Sequence, residues 1–590
     1  MKFQKQTNKI NDSVVFVLSV ISLIALILDF GFKQNYWMHL ITDFYYMFFG
    51  AVSCIFFINE FPNREEYGRS PRGHYLVTTI SFLALAMATA NTGVFVISRI
   101  SDLNTITACL VFVLTIFDLS VRLYRLNHQT MHPALVFALS FVVLICVGTL
   151  VLMTPRATVN GISFIDALFT STSAVCVTGL AVLDTGKDFT LLGQITILTL
   201  IQLGALGMLS FTSLFALFFK GYGSFESQLN LKNMINAETL NSTFKTLFQI
   251  LVFVFTVEGL GAVLIFISID PEAEMFGEHV FFSVFHSISA FCNAGFSTLS
   301  NSLYQEGVRH NYTLHMIVCA LIILGGLGNG VVINIYYYLK KWFLYWQYRL
   351  FGISWKQEKQ KIKPKLGLNT KLVLYATSTL LVVGTIFFYL LEDNNTLSEH
   401  SGLGKLATSF FGSVTTRTAG FNTVDTGSMS IPTIFIFLFF MWIGASPGST
   451  GGGIKTTTFV VALFSITQQI FGYQKIRVGY RNIPQKALQK ASAIITLSIL
   501  VIGLSIFLVI YLDQQLGVLP IIFECVSAFS TVGLSMGITS QFGDLSKLVL
   551  ILTMFIGRVG LLTLLTGLIR QLYTYQYSPI EYPEEEILIN

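Results

Sequence analysis

Long apolar runs alternate along this chain with short polar ones, and their lengths predict helices that cross or enter a membrane. Four runs come first, at 14–30, 36–58, 75–97 and 103–119. Each is close to the roughly 20 residues that cross about 30 Å of hydrocarbon. After them one plan recurs four times: an apolar helix, a piece too short to span, a polar stretch bearing glycine, and a second apolar helix. The first helices are expected at 134–153, 246–267, 371–391 and 491–512, the second at 191–219, 312–339, 431–471 and 545–568. The pieces 163–175, 280–291, 403–416 and 520–529 must enter and turn back, which a backbone tolerates in a membrane only where it is buried or lines a wet cavity. The pattern predicts an all-α membrane protein with four pseudo-symmetric helix–pore loop–helix repeats around one pore, preceded by about four extra transmembrane helices. The expected units are 1–130 (extra helices), pore repeats at 131–220, 240–345, 368–472 and 485–572, and a cytosolic tail at 573–590.

The polar stretches resemble one another. Aligned without gaps, 171–180, 287–296, 412–421 and 525–534 put glycine at Gly179, Gly295, Gly420 and Gly533, each followed by Leu or Phe. Phe169, Phe285, Phe410 and Phe523 each stand two places before a stretch. Spacings above a hundred residues leave room for a whole supersecondary unit per copy. Four similar polar stretches between apolar helices read as four quarters of a ring.

Composition agrees with a membrane setting. The 590 residues are 53% hydrophobic and 11% charged, with a mean hydropathy of +0.68, against about 25% charged in a soluble protein. The net charge of +5 matters through its placement. The loop 340–371 is rich in lysine and has Glu358 as its acid, and 473–490 adds Lys475, Arg477, Arg481, Lys486 and Lys490. Asp270, Glu272, Glu274 and Glu278 fall on the other side, so lysine and arginine asymmetry predicts cytosolic termini and stretches that dip in from outside. The expected location is the plasma (bacterial inner) membrane, with multiple passes. The basic start and apolar run at 14–30 lack a small-residue cleavage site and read as a retained helix. Seven cysteines without a C-x-x-C pair read as buried free thiols. Arg122 and Arg125 read as anchors at a cytosolic helix end and not as a voltage sensor.

The glycines carry a chemical reading. A cation leaving water needs its hydration shell replaced, and a ring of backbone carbonyls can supply the oxygens. Turning successive carbonyls toward one axis requires positive backbone angles that glycine adopts cheaply. The short helix before each stretch also points its partly negative C-terminus at the cavity. The oxygens are therefore expected from Cys176, Val177, Thr178 and Gly179; Cys292, Asn293, Ala294 and Gly295; Arg417, Thr418, Ala419 and Gly420; and Ser530, Thr531, Val532 and Gly533. The last two of each set (Thr178 with Gly179, Ala294 with Gly295, Ala419 with Gly420, Val532 with Gly533) are the expected ion ligands. The plan, with its T-G-L, A-G-F, A-G-F and V-G-L stretches, resembles the Trk/Ktr/HKT superfamily of potassium uptake proteins, of the TrkH/KtrB type, over about residues 134–572. The resemblance implies that Gly179, Gly295, Gly420 and Gly533 are the glycines of a potassium filter folded from one chain. Glycine at the first position favours potassium over sodium, since some plant members with serine there favour sodium.

The apolar segment 431–471 is about twice the length of a span. Its middle carries Gly444, Pro447, Gly448, Gly451, Gly452, Gly453 and Lys455, and such a run cannot stay helical when each glycine costs about 1 kcal/mol and proline about 3. Two half-helices joined by a loop at mid-membrane are expected, able to obstruct a pore. The resemblance implies the same gating loop, here represented by Gly448, Gly451, Gly452, Gly453 and Lys455. A phosphate-binding loop is a poor match, because Ile454 intervenes between Gly453 and Lys455. Arg558 lies in an apolar run, where an unpaired arginine costs at least about 2.5 kcal/mol, and is expected to meet the 444–455 loop. The family pattern usually has an acid where Gly560 stands. Arg417 is expected to brace the ring toward an acid such as Glu524 or Asp166, and Glu258 to act as a brace or a buried polar contact. Gly204, Gly207, Gly325, Gly326 and Gly328 are expected to allow close helix packing.

No enzyme motif is present. The expected function is potassium uptake, with a sodium or other monovalent-cation secondary transporter as the alternative. Alternating access would favour inverted repeats and several broken helices, whereas the repeats read as parallel with one clear break. No covalent cofactor is expected. The resemblance implies a homodimer with a cytosolic TrkA/KtrA-type regulatory subunit that binds ATP, ADP or NADH, docked on the basic loops, and no nucleic-acid partner.

Overall fold

A computed structural model describes residues 2–33, 36–60, 79–86, 107, 110, 111, 114, 115, 133–207, 243–269, 279–350, 366–473, 475–478 and 481–572. Most of the expected helices 75–97 and 103–119, Arg122, Arg125, the acids 270–278 and the middle of the 340–371 loop lie outside them. The described residues are mostly helical. Two N-terminal helices, α1 (Lys2–Gly31) and α2 (Tyr36–Glu60), share an apolar cluster with Ala84, Val111 and Leu114. The Gly31 carbonyl accepts from the Arg156 amide and ties this cluster to the remainder of the chain.

From there the elements run α3 (Pro133–Leu152), α4 (Phe164–Val175), α5 (Leu191–Gly207); α6 (Thr243–Ser268), α7 (His279–Cys292), α8 (Tyr312–Leu327), α9 (Asn329–Leu350); α10 (Leu368–Glu392), α11 (Leu403–Thr415), α12 (Ile431–Trp442), α13 (Thr456–Phe471); α14 (Gln485–Leu512), α15 (Val518–Ser530), α16 (Asp544–Val559) and α17 (Leu561–Leu572). Local chemistry fixes several boundaries. Ser163 caps α4 by accepting from the Asp166 amide, Asn311 caps α8 by accepting from Leu314, and Gly472 ends α13 in the left-handed region. A small hairpin pairs Arg477–Val478 with Arg481–Asn482.

Among the described residues, three helices are long and apolar enough to cross a membrane alone: Phe248–Ser268, Leu368–Glu392 and Gln485–Leu512. Two bent pairs add to these, Tyr312–Leu327 with Asn329–Trp346 at 101° and Asp544–Val559 with Leu561–Ile569 at 81°. These bends correct the expectation of one broken second helix. The breaks fall at Gly328 (φ +84) and Gly560 (φ +86), while α12 and α13 are separated by a true loop. Gly328 is forced: a methyl there would stand 2.7 Å from the Pro447 carbonyl oxygen. The helices turn apolar side chains outward, as along α14, where Leu500, Leu504 and Phe507 are at least 60% exposed. In a chain of this composition that is a hydrocarbon-facing surface.

The short helices α4, α7, α11 and α15 occupy the middle. Phe169, Phe285, Phe411 and Phe523 are fully buried there. Serines on three of them bond the carbonyls of neighbouring long helices: Ser171 to Ile145 (2.8 Å), Ser287 to Glu258 (2.6 Å) and Ser413 to Leu381 (2.9 Å). Ion pairs cross between elements distant in sequence. Lys547 Nζ lies 2.6 Å from Asp166 Oδ1, and Arg309 lies 3.0 Å from Glu399. Near the second pair, Tyr312 Oη is 3.0 Å from His400 Nδ1, and the His310 ring is 5.3 Å from that of His400. Burial first, and then His310 and Arg309, hold the His400 imidazole below its ordinary pKa against the pull of Glu399.

Candidate functional site: four glycine stretches and the loop against them

Each short helix runs into its glycine stretch through the same backbone motif. The angle φ is positive at Val177 (57°), Asn293 (60°), Thr418 (65°) and Thr531 (51°), and again two residues later at Gly179 (93°), Gly295 (71°), Gly420 (81°) and Gly533 (90°). A non-glycine residue in this region costs on the order of 1–3 kcal/mol and persists where its surroundings over-determine it. Here backbone bonds do so: Thr178 to Ser173 (2.8 Å), Ala294 to Ser289 (2.7 Å), Ala419 to Thr415 (3.0 Å) and Val532 to Ser527 (2.9 Å). Hydroxyls add a second tie. Ser173 and Ser527 accept from the Gly179 and Gly533 amides, while Ser289 and Thr415 donate to the Phe296 and Phe421 carbonyls.

These bonds also correct the ungapped alignment. The third copy has one residue fewer between the serine of its short helix and its glycine, so Ser413 matches Ser171 and Ser287, and Phe411 matches Phe169, Phe285 and Phe523. Gly412 and Phe410, the residues the alignment chose, are shifted by one. The positions from Arg417 to Gly420 are unaffected, because the shortening precedes them.

The four glycines meet. A methyl on Gly179 would lie 3.2 Å from Gly295 Cα, one on Gly295 2.9 Å from Gly420 Cα, one on Gly420 3.2 Å from Gly533 Cα, and one on Gly533 3.0 Å from Gly179 Cα. The circuit closes. Each such methyl would also overlap a carbonyl oxygen of the next stretch, from Ala294, Ala419, Val532 and Thr178 in turn. Glycine is required at all four places by positive φ and by close approach together.

Between α12 and α13 the chain leaves the helix and packs against these stretches. Gly452 N donates to Thr531 Oγ1 (3.0 Å), and the Asn293 carboxamide lies 3.4 Å from both Thr418 Oγ1 and Thr450 Oγ1. Gly451 faces Thr418, and Gly453 (φ +64) faces Ser530. On its other side the loop is tied to the break between α8 and α9: Ser446 N to Gly326 O (3.0 Å) and Asn329 N to the carbonyl of Gly448 (3.0 Å). Lys455 Nζ closes the loop on itself through Gly451 O at 2.6 Å. Arg558 donates to the Thr450 carbonyl and, at 3.0 Å, to the Gly204 carbonyl, so one buried guanidinium joins α16, the loop and α5.

Among the other charged residues, Arg417 departs from expectation and Glu258 makes the buried polar contact that was one of its two expected roles. Arg417 pairs with neither acid considered for it. Glu524 is held by Ser535 Oγ, the Met536 amide (3.2 Å) and Thr539 Oγ1 (3.1 Å), and Asp166 by Lys547. Arg417 Nη1 meets no partner among the described residues. Glu258 receives Gln202 Nε2 at 3.1 and 3.2 Å and sits 3.7 Å from the Cys292 thiol. Gly204, Gly325 and Gly557 pack so closely on the Val175, Phe291 and Phe529 carbonyls that a side chain would overlap them. The repeat pattern points to the carbonyls of Asn293, Thr418 and Thr531 and not to the contacts their side chains make. Polar side chains in otherwise apolar surroundings were the available signal for them, as for Gln202. Of the free thiols, Cys54, Cys176, Cys292, Cys319 and Cys525 are buried, and Cys146 is exposed.

A family model described as "TrkH: Cation transport protein" matches residues 104–573. The chain is 37% identical over 469 residues to the potassium/sodium uptake protein NtpJ of Enterococcus hirae, covering 78% of this chain and 98% of that protein. It is 34% identical over 457 residues to the Ktr system potassium uptake protein B of Bacillus subtilis, covering 77% of this chain and 96% of the relative. Among solved structures, the potassium transporter TrkH from Vibrio parahaemolyticus aligns with a TM-score of 0.58 at 19% identity, over 83% of this chain and 96% of the other.

Proposed function

This chain belongs to the TrkH family of cation transport proteins, and we propose that it takes up potassium through a filter built by its four glycine stretches. It is a membrane transporter of the potassium and cation transport class and not an enzyme. The observation that carries the proposal is the closed circuit of Gly179, Gly295, Gly420 and Gly533, four backbones meeting at one place in a mostly helical membrane protein. Carbonyls of 176–179, 292–295, 417–420 and 530–533 would replace the water around a bare potassium ion. The four helix–short helix–helix units would then be four quarters of one pore, entered from outside, with both termini cytosolic.

In this reading the loop at Gly448–Lys455 is the gate. Its contacts with Asn293, Thr418 and Thr531 support a closed position against the inner end of the filter. Arg558 fastens it there and adds a fixed positive charge that opposes cation passage. Homodimerisation, and a cytosolic nucleotide-binding partner docked on the basic loops, complete the proposal. A second reading, sodium uptake, is favoured by the naming of the Enterococcus hirae relative for both ions. Uptake of potassium, rubidium and sodium by liposomes containing the purified chain tests both. Rubidium and potassium entering in strong preference to sodium supports the filter, equal sodium entry supports the second reading, and no entry of any of them removes both.

A further inference from the structure

The residue just before each left-handed position lies at or just past the end of its short helix: Cys176, Cys292, Arg417 and Ser530. At the fourth turn Ser530 Oγ, and at the third Arg417 Nη1, meet no hydrogen-bond partner among the described residues. The second is held from outside. The Cys292 thiol lies 3.6 Å from Gln202 Oε1 and 3.7 Å from Glu258 Oε1, and Gln202 Nε2 spans both carboxylate oxygens of Glu258. Glu258 is 5% exposed, and among the described residues no lysine or arginine pairs with it. Its own carbonyl receives Ser287 Oγ from the same short helix, at 2.6 Å. The acid is thus joined to α7 twice, through Ser287 near the middle and Cys292 at the end, and to α5 through Gln202.

A buried carboxylate without a cation is costly and is retained where its hydrogen bonds have a use. On a lipid-facing bundle, apolar residues would pack α5 against α6 more cheaply. The bonds converge instead on the turn that aims the Cys292 and Asn293 carbonyls. We infer that Glu258 and Gln202 form a clamp that fixes the second stretch and so sets the discrimination between potassium and sodium. Glu258 is a positioning residue in this scheme and touches no ion. The inference rests on the filter proposed above. A ring that distinguishes ions by the spacing of its oxygens needs each strand held, and one loosened strand lets the ring close on a smaller ion.

The test uses the purified full chain in liposomes, with potassium and sodium uptake measured in competition. Glu258→Ala is expected to lower the potassium-to-sodium ratio about tenfold, the equivalent of one lost net hydrogen bond. Cys292→Ala should do the same, and the two together no more, because they break one linkage. Glu258→Gln keeps an oxygen for Gln202 and should recover most of the ratio. Should Glu258→Ala fail to fold, Gln202→Ala removes the shared donor and reads the same clamp. An unchanged ratio in the folded alanine variants, additive losses, or a Gln variant as impaired as Ala overturns the clamp. A wild-type chain that moves neither ion overturns the filter itself, whatever the variants do.

Discussion

Thr531 Oγ1 accepts a 3.0 Å hydrogen bond from the Gly452 amide, which fastens the loop between α12 and α13 to the fourth glycine stretch. A methyl at Gly452 would overlap that same hydroxyl. Gly452→Ala is therefore expected to lift the loop and raise cation flux. If the closed arrangement loses about 1.4 kcal/mol, the open population rises about tenfold. Rubidium uptake by liposomes measures it, and reduced flux through a folded variant would count against a loop that closes the path.

Arg558→Ala removes both the charge and the tie between the Thr450 and Gly204 carbonyls, and should raise flux. Arg558→Lys keeps the charge but not the planar fork that reaches two carbonyls at once. Its flux should fall between wild type and Ala. Equal fluxes in Lys and Ala would assign the effect to the fork alone, and wild-type flux in Ala would remove the barrier.

Replacing any one of Gly179, Gly295, Gly420 or Gly533 with Ala forces a methyl into the neighbouring stretch's carbonyl oxygen. All four variants should lose most potassium uptake, because each breaks the circuit at one joint. Retained selective uptake in any of them would show that the circuit is not the ion path. Growth of a potassium-uptake-deficient host on low potassium gives the first readout, and liposome flux the second.

The Lys547–Asp166 pair is largely buried, with side chains 10% and 20% exposed. Removing one partner strands the other charge at a cost of about 3 kcal/mol. Lys547→Met should lower thermal stability in detergent more than Lys547→Met combined with Asp166→Leu. The reverse order would mean that the pair contributes little to holding α4 against α16.

His400 has its pKa held below the ordinary histidine value of 6.5, so the folded chain binds a proton there less readily than the unfolded one. The sign follows: no penalty above the unfolded value, and lost stability as pH falls below it. Melting at pH 7.5 and pH 5, compared between wild type and His400→Gln, should show a smaller acid-induced drop in the variant. Equal drops would place the acid sensitivity elsewhere, with His310 the next group to change.

The glycine positions are legible because four similar stretches repeat the same residue at the same place, where a positive backbone angle and the close approach of the next stretch together exclude a side chain. The third copy's missing residue is not. Its register is fixed by Ser413 bonding the Leu381 carbonyl, a contact between helices that a short ungapped alignment cannot see. The bends at Gly328 and Gly560 were hidden for a related reason. One glycine costs a helix only about 1 kcal/mol, and the break at Gly328 is set by Pro447 and Gly448 pressing against it from a distant segment. Charge alone points Arg417 toward an acid such as Glu524 or Asp166, and both are taken by nearer partners.

One loop meets three of the four converging stretches, through Asn293, Thr418 and Thr531, and a single insertion of this kind is open only to a chain that carries all four stretches itself. In an assembly of identical subunits every insertion appears as often as the subunit does, and four such loops would collide beneath the centre. Fusion into one polypeptide frees each quarter to diverge. Here one quarter has a glycine-rich loop between α12 and α13 where two of the others bend at a single glycine, Gly328 or Gly560, while Gly204, Gly325 and Gly557 bring the second helices of those other three against their short helices.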